Sequence, residues 1–230
     1  MEAIILAGGL GTRLRTITNG LPKPMAPMGS EPFLAVLLTY LVKQGVDRVI
    51  LSVGYKYEAI QSYFGDCYSS CKLTYSIEHD LLGTGGAIRQ ALQHTQADPV
   101  LVVNGDTLFE IPLNRMLSFH LDHQADLTLA LKPMLNFDRY GNVVLSNTQI
   151  VRFEEKQHCI QGNINGGVYL INRTLFERFN LPSKFSFETD FLQRYLDQIR
   201  VHGFSCSEYF VDIGIPEDYQ KAQREIGVRA

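Results

Sequence analysis

Close to its start the chain runs Ala3-Ile4-Ile5-Leu6-Ala7-Gly8-Gly9-Leu10-Gly11-Thr12-Arg13-Leu14, and Pro22-Lys23-Pro24 follows. An apolar run that feeds straight into glycines constrains the fold more than any other stretch. The run predicts a strand buried on both faces. Glycines directly after such a strand let the backbone approach a ligand and turn N–H groups toward it. Arg13 and Lys23 add fixed positive charge, with Lys23 held between two prolines. Strand, glycines, hydroxyl and cations together describe a loop that holds a polyanion.

The two common phosphate loops do not fit. A Walker loop closes on Gly-Lys-Ser/Thr, and no lysine follows these glycines. A dinucleotide fingerprint needs Gly-x-Gly-x-x-Gly, but Leu14 stands where the third glycine belongs. The next strand, Arg48 to Val53, also lacks the ribose-binding acid at its end. A glycine-rich turn without a ligand is the remaining structural alternative, and it leaves Arg13 and Pro22-Lys23-Pro24 unexplained.

Farther along, Pro32 to Gln44 has helical periodicity, Arg48 to Val53 reads as a strand, Tyr57 to Phe64 as a helix and Leu73 to Ile77 as a strand ending at Glu78-His79-Asp80. This alternation predicts a parallel sheet with helices on both faces. Leu82-Gly83-Thr84-Gly85-Gly86-Ala87 opens a helix expected over Ala87 to His94, and glycines there admit a flat ligand or an anion. Pro99 to Val103 is a strand ending in Asn104-Gly105-Asp106. Ligands of open parallel sheets lie beyond the carboxyl ends of the strands. Asp106 there, on the edge that carries the phosphate loop, is read as a Mg²⁺ ligand, since Mg²⁺ takes one or two carboxylates plus phosphate oxygens. Capping of the next element is its structural alternative.

Helix is expected from Asn114 to His123, followed by short strands over Asp126 to Leu131, Asn142 to Leu145, Gln149 to Phe153 and Asn165 to Ile171. That change of rhythm predicts an antiparallel extension laid over the main sheet as the second wall of a cleft. Phe185 begins a helix expected to reach Ile199, with Ser186 as its N-cap. Glu188 and Asp190 in its first turn suit the helix dipole. The last strand, Glu208 to Ile213, carries Asp212 among apolar residues, and a buried charge must be paired or bind metal.

With 230 residues and 45% hydrophobic content, the chain can bury a large core as one domain. A net charge of −3 without a basic block disfavours nucleic acid as a partner. No apolar run has membrane-spanning length, so membrane insertion is not expected. The N-terminus enters a strand at once, and Cys67, Cys71, Cys159 and Cys206 are scattered as free thiols would be. A cytoplasmic location is the expectation.

The opening resembles the signature of the sugar nucleotidyltransferases, Leu-Ala-Gly-Gly-x-Gly-Thr-Arg-Leu followed by Pro-Lys-Pro, here Leu6 to Leu14 and Pro22 to Pro24. One departure is Arg15-Thr16-Ile17, where many members carry a proline. The resemblance spans nearly the whole chain. It implies an α/β, three-layer, Rossmann-like, mostly parallel sheet with helices on both faces and a small antiparallel extension. One nucleotidyltransferase domain would cover 1–230, with a nucleotide-binding part at about 1–110 and a sugar-phosphate-binding part at about 111–230.

What the resemblance implies for single residues follows the motifs. Arg13, Lys23 and Asp106 would be catalytic. Leu6, Ala7, Gly8, Gly9, Gly11, Thr12, Asn104, Gly83, Thr84 and Gly85 would join them in binding the nucleotide, the last three against the base. Glu155 would bind sugar hydroxyls and Lys156 the sugar phosphate. Tyr140, Gly141, Asn165, Gly166 and Glu188 would complete that pocket. Asp106 and Asp212 would share a Mg²⁺ ion, although Ile215 replaces the threonine usual after the second aspartate.

The reaction so implied is attack of a sugar-1-phosphate oxygen on the α-phosphorus of a nucleoside triphosphate, with loss of pyrophosphate. Segments such as Tyr55-Lys56-Tyr57-Glu58, Phe137-Asp138-Arg139-Tyr140-Gly141 and Phe185-Ser186-Phe187-Glu188 are most similar to heptose-1-phosphate guanylyltransferases. That implies GTP and a heptose 1-phosphate as substrates, with the product used for cell-surface glycans. Other sugar 1-phosphates with GTP, UTP or dTTP, and a catalytically silent sugar-nucleotide sensor, remain alternatives. The chain ends soon after Tyr219, so no appended β-helical acetyltransferase is expected, and homo-oligomerisation stays open.

Overall fold

Side chains alternate across a strand, so the successive apolar residues of the opening run must bury on both sides. The computed structural model describes the chain apart from residues 10–13, 15–17, 19 and 230, with the backbone alone for 227–229. In it, Ile4 and Ile5 of β1 (Glu2–Leu6) enter two separate hydrophobic clusters, one on each face of the sheet. The Ile5 side is covered by α1 (Phe33–Lys43), α2 (Tyr57–Phe64), α4 (Leu113–Asp122) and α5 (Pro216–Arg229). The Ile4 side is covered by α3 (Gly83–Leu92) and an aromatic cluster that includes Phe176, Phe185, Phe187 and Phe191. This is the three-layer arrangement the sequence predicts.

Between α1 and α3 lie β4 (Arg48–Val53), β5 (Cys67–Tyr68) and β6 (Cys71–Ile77), while β2 (Pro27–Met28) and β3 (Glu31–Pro32) form a small hairpin before α1. Strands β7 (Val100–Asn104) and β8 (Thr107–Phe109) follow α3. β6, β4, β1 and β7 pair in parallel in that order, so the carboxyl ends of all four point to one edge.

The antiparallel part does not lie over this sheet as expected. Strands β9 (Leu127–Phe137), β10 (Val143–Ser146), β11 (Gln149–Phe153), β12 (Cys159–Ile171) and β13 (Val201–Ser205) extend it sideways into a ten-stranded mixed sheet. The reason is edge pairing. β7 would otherwise end the sheet with an open ladder of N–H and C=O groups. β12 closes that edge in antiparallel register, Val168 opposite Val103 and Ile171 opposite Val100. A separate two-stranded antiparallel ladder is formed just past the end of β7 by β8 with β14 (Phe210–Asp212).

Two helical expectations also change. α3 begins at Gly83, four residues ahead of the expected Ala87, so the glycines form its first turn instead of preceding it. The segment after Ser186 is not a regular helix to Ile199. It is a π-helical stretch, Phe187–Gln193, then a 3₁₀ turn, Leu196–Gln198. Ser186 does cap it, accepting the Thr189 N–H at 3.3 Å.

Candidate active site

The carboxyl ends of β1, β6 and β7 open on a cleft of about 410 Å³. Of the residues expected to bind nucleotide, Leu6, Ala7, Gly8, Gly9, Lys23, Gly83, Thr84, Asn104 and Asp106 line it. Gly11, Thr12 and Arg13 lie outside the described residues. A Cβ on Gly8 would come 2.5 Å from Glu78 Oε1, so that carboxylate would have to shift to admit a side chain. Gly83 adopts φ +70°, and a Cβ would meet the Phe185 carbonyl oxygen at 2.5 Å. Gly83 is therefore needed by the backbone.

Gly85, expected against the base, is not among the residues that line the cleft. It is buried, and its absent Cβ makes room for the Phe185 ring, 2.1 Å from where that atom would stand. Packing between α3 and the aromatic cluster accounts for it.

Lys23 sits in a short 3₁₀ turn, Lys23–Met25, and its Nζ donates to Asp106 Oδ2. The other Asp106 oxygen accepts from the Thr107 hydroxyl at 3.1 Å. The Asp106 carbonyl accepts the Ile213 N–H at 2.9 Å, which ties the end of β7 to β14. Asp212, opposite Thr107 in that ladder, accepts the Gly214 N–H at 2.6 Å. Burial pushes the Asp212 carboxyl above the ordinary aspartate range, and the negative charge of Asp106 pushes the same way, against the pull of Lys23.

Among the described residues, Asp106 and Asp212 beside one ammonium leave excess negative charge at the ends of β7 and β14. A hard divalent cation with oxygen preference fits that imbalance. The described residues contain no group of three potential metal ligands. Phosphate oxygens and water would therefore have to complete the coordination of a cation there, as Mg²⁺ sites commonly require.

The cleft also contains a group for which no role was expected. Glu78, just past β6, faces Gly8, accepts from the Ser52 hydroxyl at 3.2 Å and from the Leu82 N–H at 3.4 Å. Burial raises its pKa, with those two hydrogen bonds opposing. Its position at the end of a parallel strand was visible in the sequence, but its burial was not. Tyr169 is buried and does not line the cleft, but it touches a residue that does. Its hydroxyl donates to Glu188 Oε1 at 3.3 Å and accepts from Asn165 Nδ2 at 2.9 Å. Glu188 Oε2 accepts from the Thr84 hydroxyl at 3.0 Å. One chain of hydrogen bonds thus links Asn165, Tyr169, Glu188 and Thr84, joining two residues expected on the sugar side to one expected at the base. Glu188 itself lines the nucleotide cleft.

The other expected sugar-side residues are dispersed. Tyr140 and Asp212 line a second cavity of about 490 Å³, which also includes Lys132, Arg139 and Asp218. Gly141 lies against the Glu154 carbonyl, 2.5 Å from where its Cβ would be. Gly166 is buried against the Phe109 ring. Glu155 and Lys156 are exposed and line neither cavity. The neighbouring Glu154 accepts from Asn142 Nδ2 at 2.7 Å.

A glycine-bordered cleft at the carboxyl ends of parallel strands, with Lys23 and Asp106 in its lining and the charge of Asp212 close by, is a nucleotidyltransferase arrangement. The Nucleotidyl transferase family model matches residues 2–228, and the chain belongs to that family. Its sequence is 53% identical over 226 residues to the D-glycero-alpha-D-manno-heptose 1-phosphate guanylyltransferase of Aneurinibacillus thermoaerophilus, covering 98% of each chain. It is 47% identical to the enzyme of the same name from Campylobacter jejuni, over 95% of this chain and 97% of that one. Among solved structures, HddC from Yersinia pseudotuberculosis matches with a TM-score of 0.88 at 38% identity, covering 98% of this chain and 99% of that one. HddC complexed with GMP-PN matches with a TM-score of 0.86, also at 38% identity.

Proposed function

We propose that the chain transfers a guanylyl group from GTP to D-glycero-α-D-manno-heptose 1-phosphate, giving GDP-heptose and pyrophosphate for cell-surface glycan synthesis. The observation that carries this reading is the 53% identity, across 98% of both chains, to an enzyme named for that substrate. The cleft geometry is in keeping with it.

The sugar phosphate is already ionised at neutral pH, so its oxygen can attack the α-phosphorus without a general base. The task left to the protein is to align two anions and offset the charge that builds on the reacting phosphorus. Lys23 delivers a positive charge to the cleft floor, and Asp106 orients its ammonium by the ion pair between them. Arg13 and the backbone of the glycine loop would hold the β- and γ-phosphates. Asp106 and Asp212 would hold Mg²⁺, which supplies further charge neutralisation on the phosphate oxygens. Glu78 would accept from the N1–H and the 2-amino group of guanine, a donor pair that an acceptor-only carboxylate matches. Asn165, Tyr169 and Glu188 would present the acceptor sugar. No described helix is long and apolar enough to cross a membrane, and we assign the reaction to the cytoplasm, where GTP is supplied.

A pyrophosphate-release assay tests the reading, with ATP, GTP, CTP and UTP set against heptose, mannose and glucose 1-phosphates, with and without Mg²⁺. GTP with the heptose 1-phosphate and Mg²⁺ should give the highest kcat/KM. Release with a different pair would move the specificity. Binding of GDP-sugars without any release would favour a silent sensor.

A further inference from the structure

The second cavity lies on the Asp212 side of the β8–β14 ladder and has three cations in its lining, Lys132, Arg139 and Lys221. Lys132 is committed to backbone, donating to the carbonyls of Ser207 and Glu208 at 2.6 Å each. Lys221 stands 3.9 Å from Glu225 on its own helix. Arg139 is different. Its Nη2 donates to Asp218 Oδ2 at 2.8 Å, yet the side chain is 45% exposed, and most of a five-donor guanidinium remains uncommitted. It is also close enough to feel the charge of Asp212.

Lys156, the cation expected to meet the acceptor phosphate, is exposed and outside both cavities. A dianionic acceptor arriving beside Asp106 and Asp212 needs positive charge on its own side. A carboxylate at hydrogen-bond distance from a guanidinium occupies the seat a phosphate oxygen would take. Phosphate is the better occupant, since it can accept two parallel N–H bonds from the planar fork. In that pair Arg139 is 45% and Asp218 24% exposed, so solvent screens it and it is open to exchange.

We propose that Arg139 binds the phosphate of the incoming sugar 1-phosphate and that Asp218 occupies Arg139 until that phosphate arrives. The proposal rests on the guanylyltransferase reading above and adds to it one specificity residue and its competitor. It makes two substitutions at one ion pair act in opposite directions. Arg139→Ala should raise KM for heptose 1-phosphate about tenfold and leave KM for GTP within about twofold. Arg139→Lys, which keeps the charge and loses the fork, should fall between. Asp218→Asn, which frees Arg139 and keeps a residue suited to a first helical turn, should lower KM for heptose 1-phosphate about two- to threefold.

Steady-state kinetics with each substrate varied in turn, on full-length variants with unchanged melting temperature, give the answer. If Asp218→Asn raises the sugar-phosphate KM as Arg139→Ala does, the pair is a structural latch and the proposal is overturned. Unchanged constants in both Arg139 variants overturn it equally. Should Arg139→Ala not fold, Arg139→Lys and Asp218→Asn still decide the sign. A wild-type chain that releases no pyrophosphate with any sugar phosphate would count against the guanylyltransferase reading itself, a result distinct from an active enzyme indifferent to Arg139.

Discussion

Glu78 is the residue whose removal separates base reading from simple support of the loop. Burial raises its pKa, so the carboxylate is protonated at a higher pH than an ordinary glutamate. Guanine donors need the ionised form, so GTP affinity should weaken as pH falls through that raised value. Glu78→Gln replaces one acceptor oxygen with a donor and should cut kcat/KM for GTP about tenfold or more, while changing the slow reactions with other bases much less. An equal loss with every nucleotide would assign Glu78 to holding Gly8 and nothing more. Residues at this scale were legible when their type was out of place for their surroundings. Asp212 in an apolar strand and Lys23 between prolines announced themselves in that way. Glu78 and Tyr169 did not, because a glutamate after a strand and a tyrosine within one are ordinary until the packing around them is known. The burial of Gly85 was hidden for the converse reason, since the Phe185 ring, about 100 positions away in sequence, leaves no local trace when it takes the place of a methyl group.

Among the elements, the long strands were harder to delimit than the helices. Leu127–Phe137 contains Pro133, and Cys159–Ile171 contains Gly162, Gly166 and Gly167, residues that ordinarily end a strand. The register irregularity between Asn165 and Tyr169 shows how β12 accommodates its glycines while staying paired with β9. β13 went unread because His202 and Gly203 interrupt its apolar pattern. The start of β9 is fastened by Asp126, which accepts from the Arg200 N–H at 2.8 Å and from Arg178 Nη1 at 2.8 Å. Burial alone would raise its pKa, but the Arg200 backbone bond and then the Arg178 guanidinium outweigh it, and the net shift is downward. A depressed folded-state value means stability that is present above the unfolded pKa and lost as pH falls through the folded one. Asp126→Asn should therefore cost about 2 kcal/mol at neutral pH, with the gap to wild type closing below about pH 4. Denaturant melts of both proteins across that range would show it, and a gap independent of pH would remove the charge from the explanation.

At the scale of the molecule, the nucleotide part near 1–110 and the acceptor part near 111–230 were expected as portions of one domain. The β7–β12 pairing runs between them inside a single sheet, and each of the two hydrophobic clusters draws residues from both portions. We predict one cooperative unfolding transition, followed equally by far-ultraviolet circular dichroism and tyrosine fluorescence. Two separable transitions would mean that the portions fold independently. The alternation of strands and helices made the parallel half of this sheet legible. How the remaining strands attach was not legible, because edge pairing is decided by partners far apart in the chain.

The β8–β14 ladder sets Asp212 across from Thr107 through main-chain bonds, and the Asp106 carbonyl secures Ile213 in the same way. The spacing of the paired acids is thus written in peptide groups, which every amino acid shares. Side chains around the acceptor can drift through generations and recruit a new sugar, while the ionic machinery beneath them keeps its gauge.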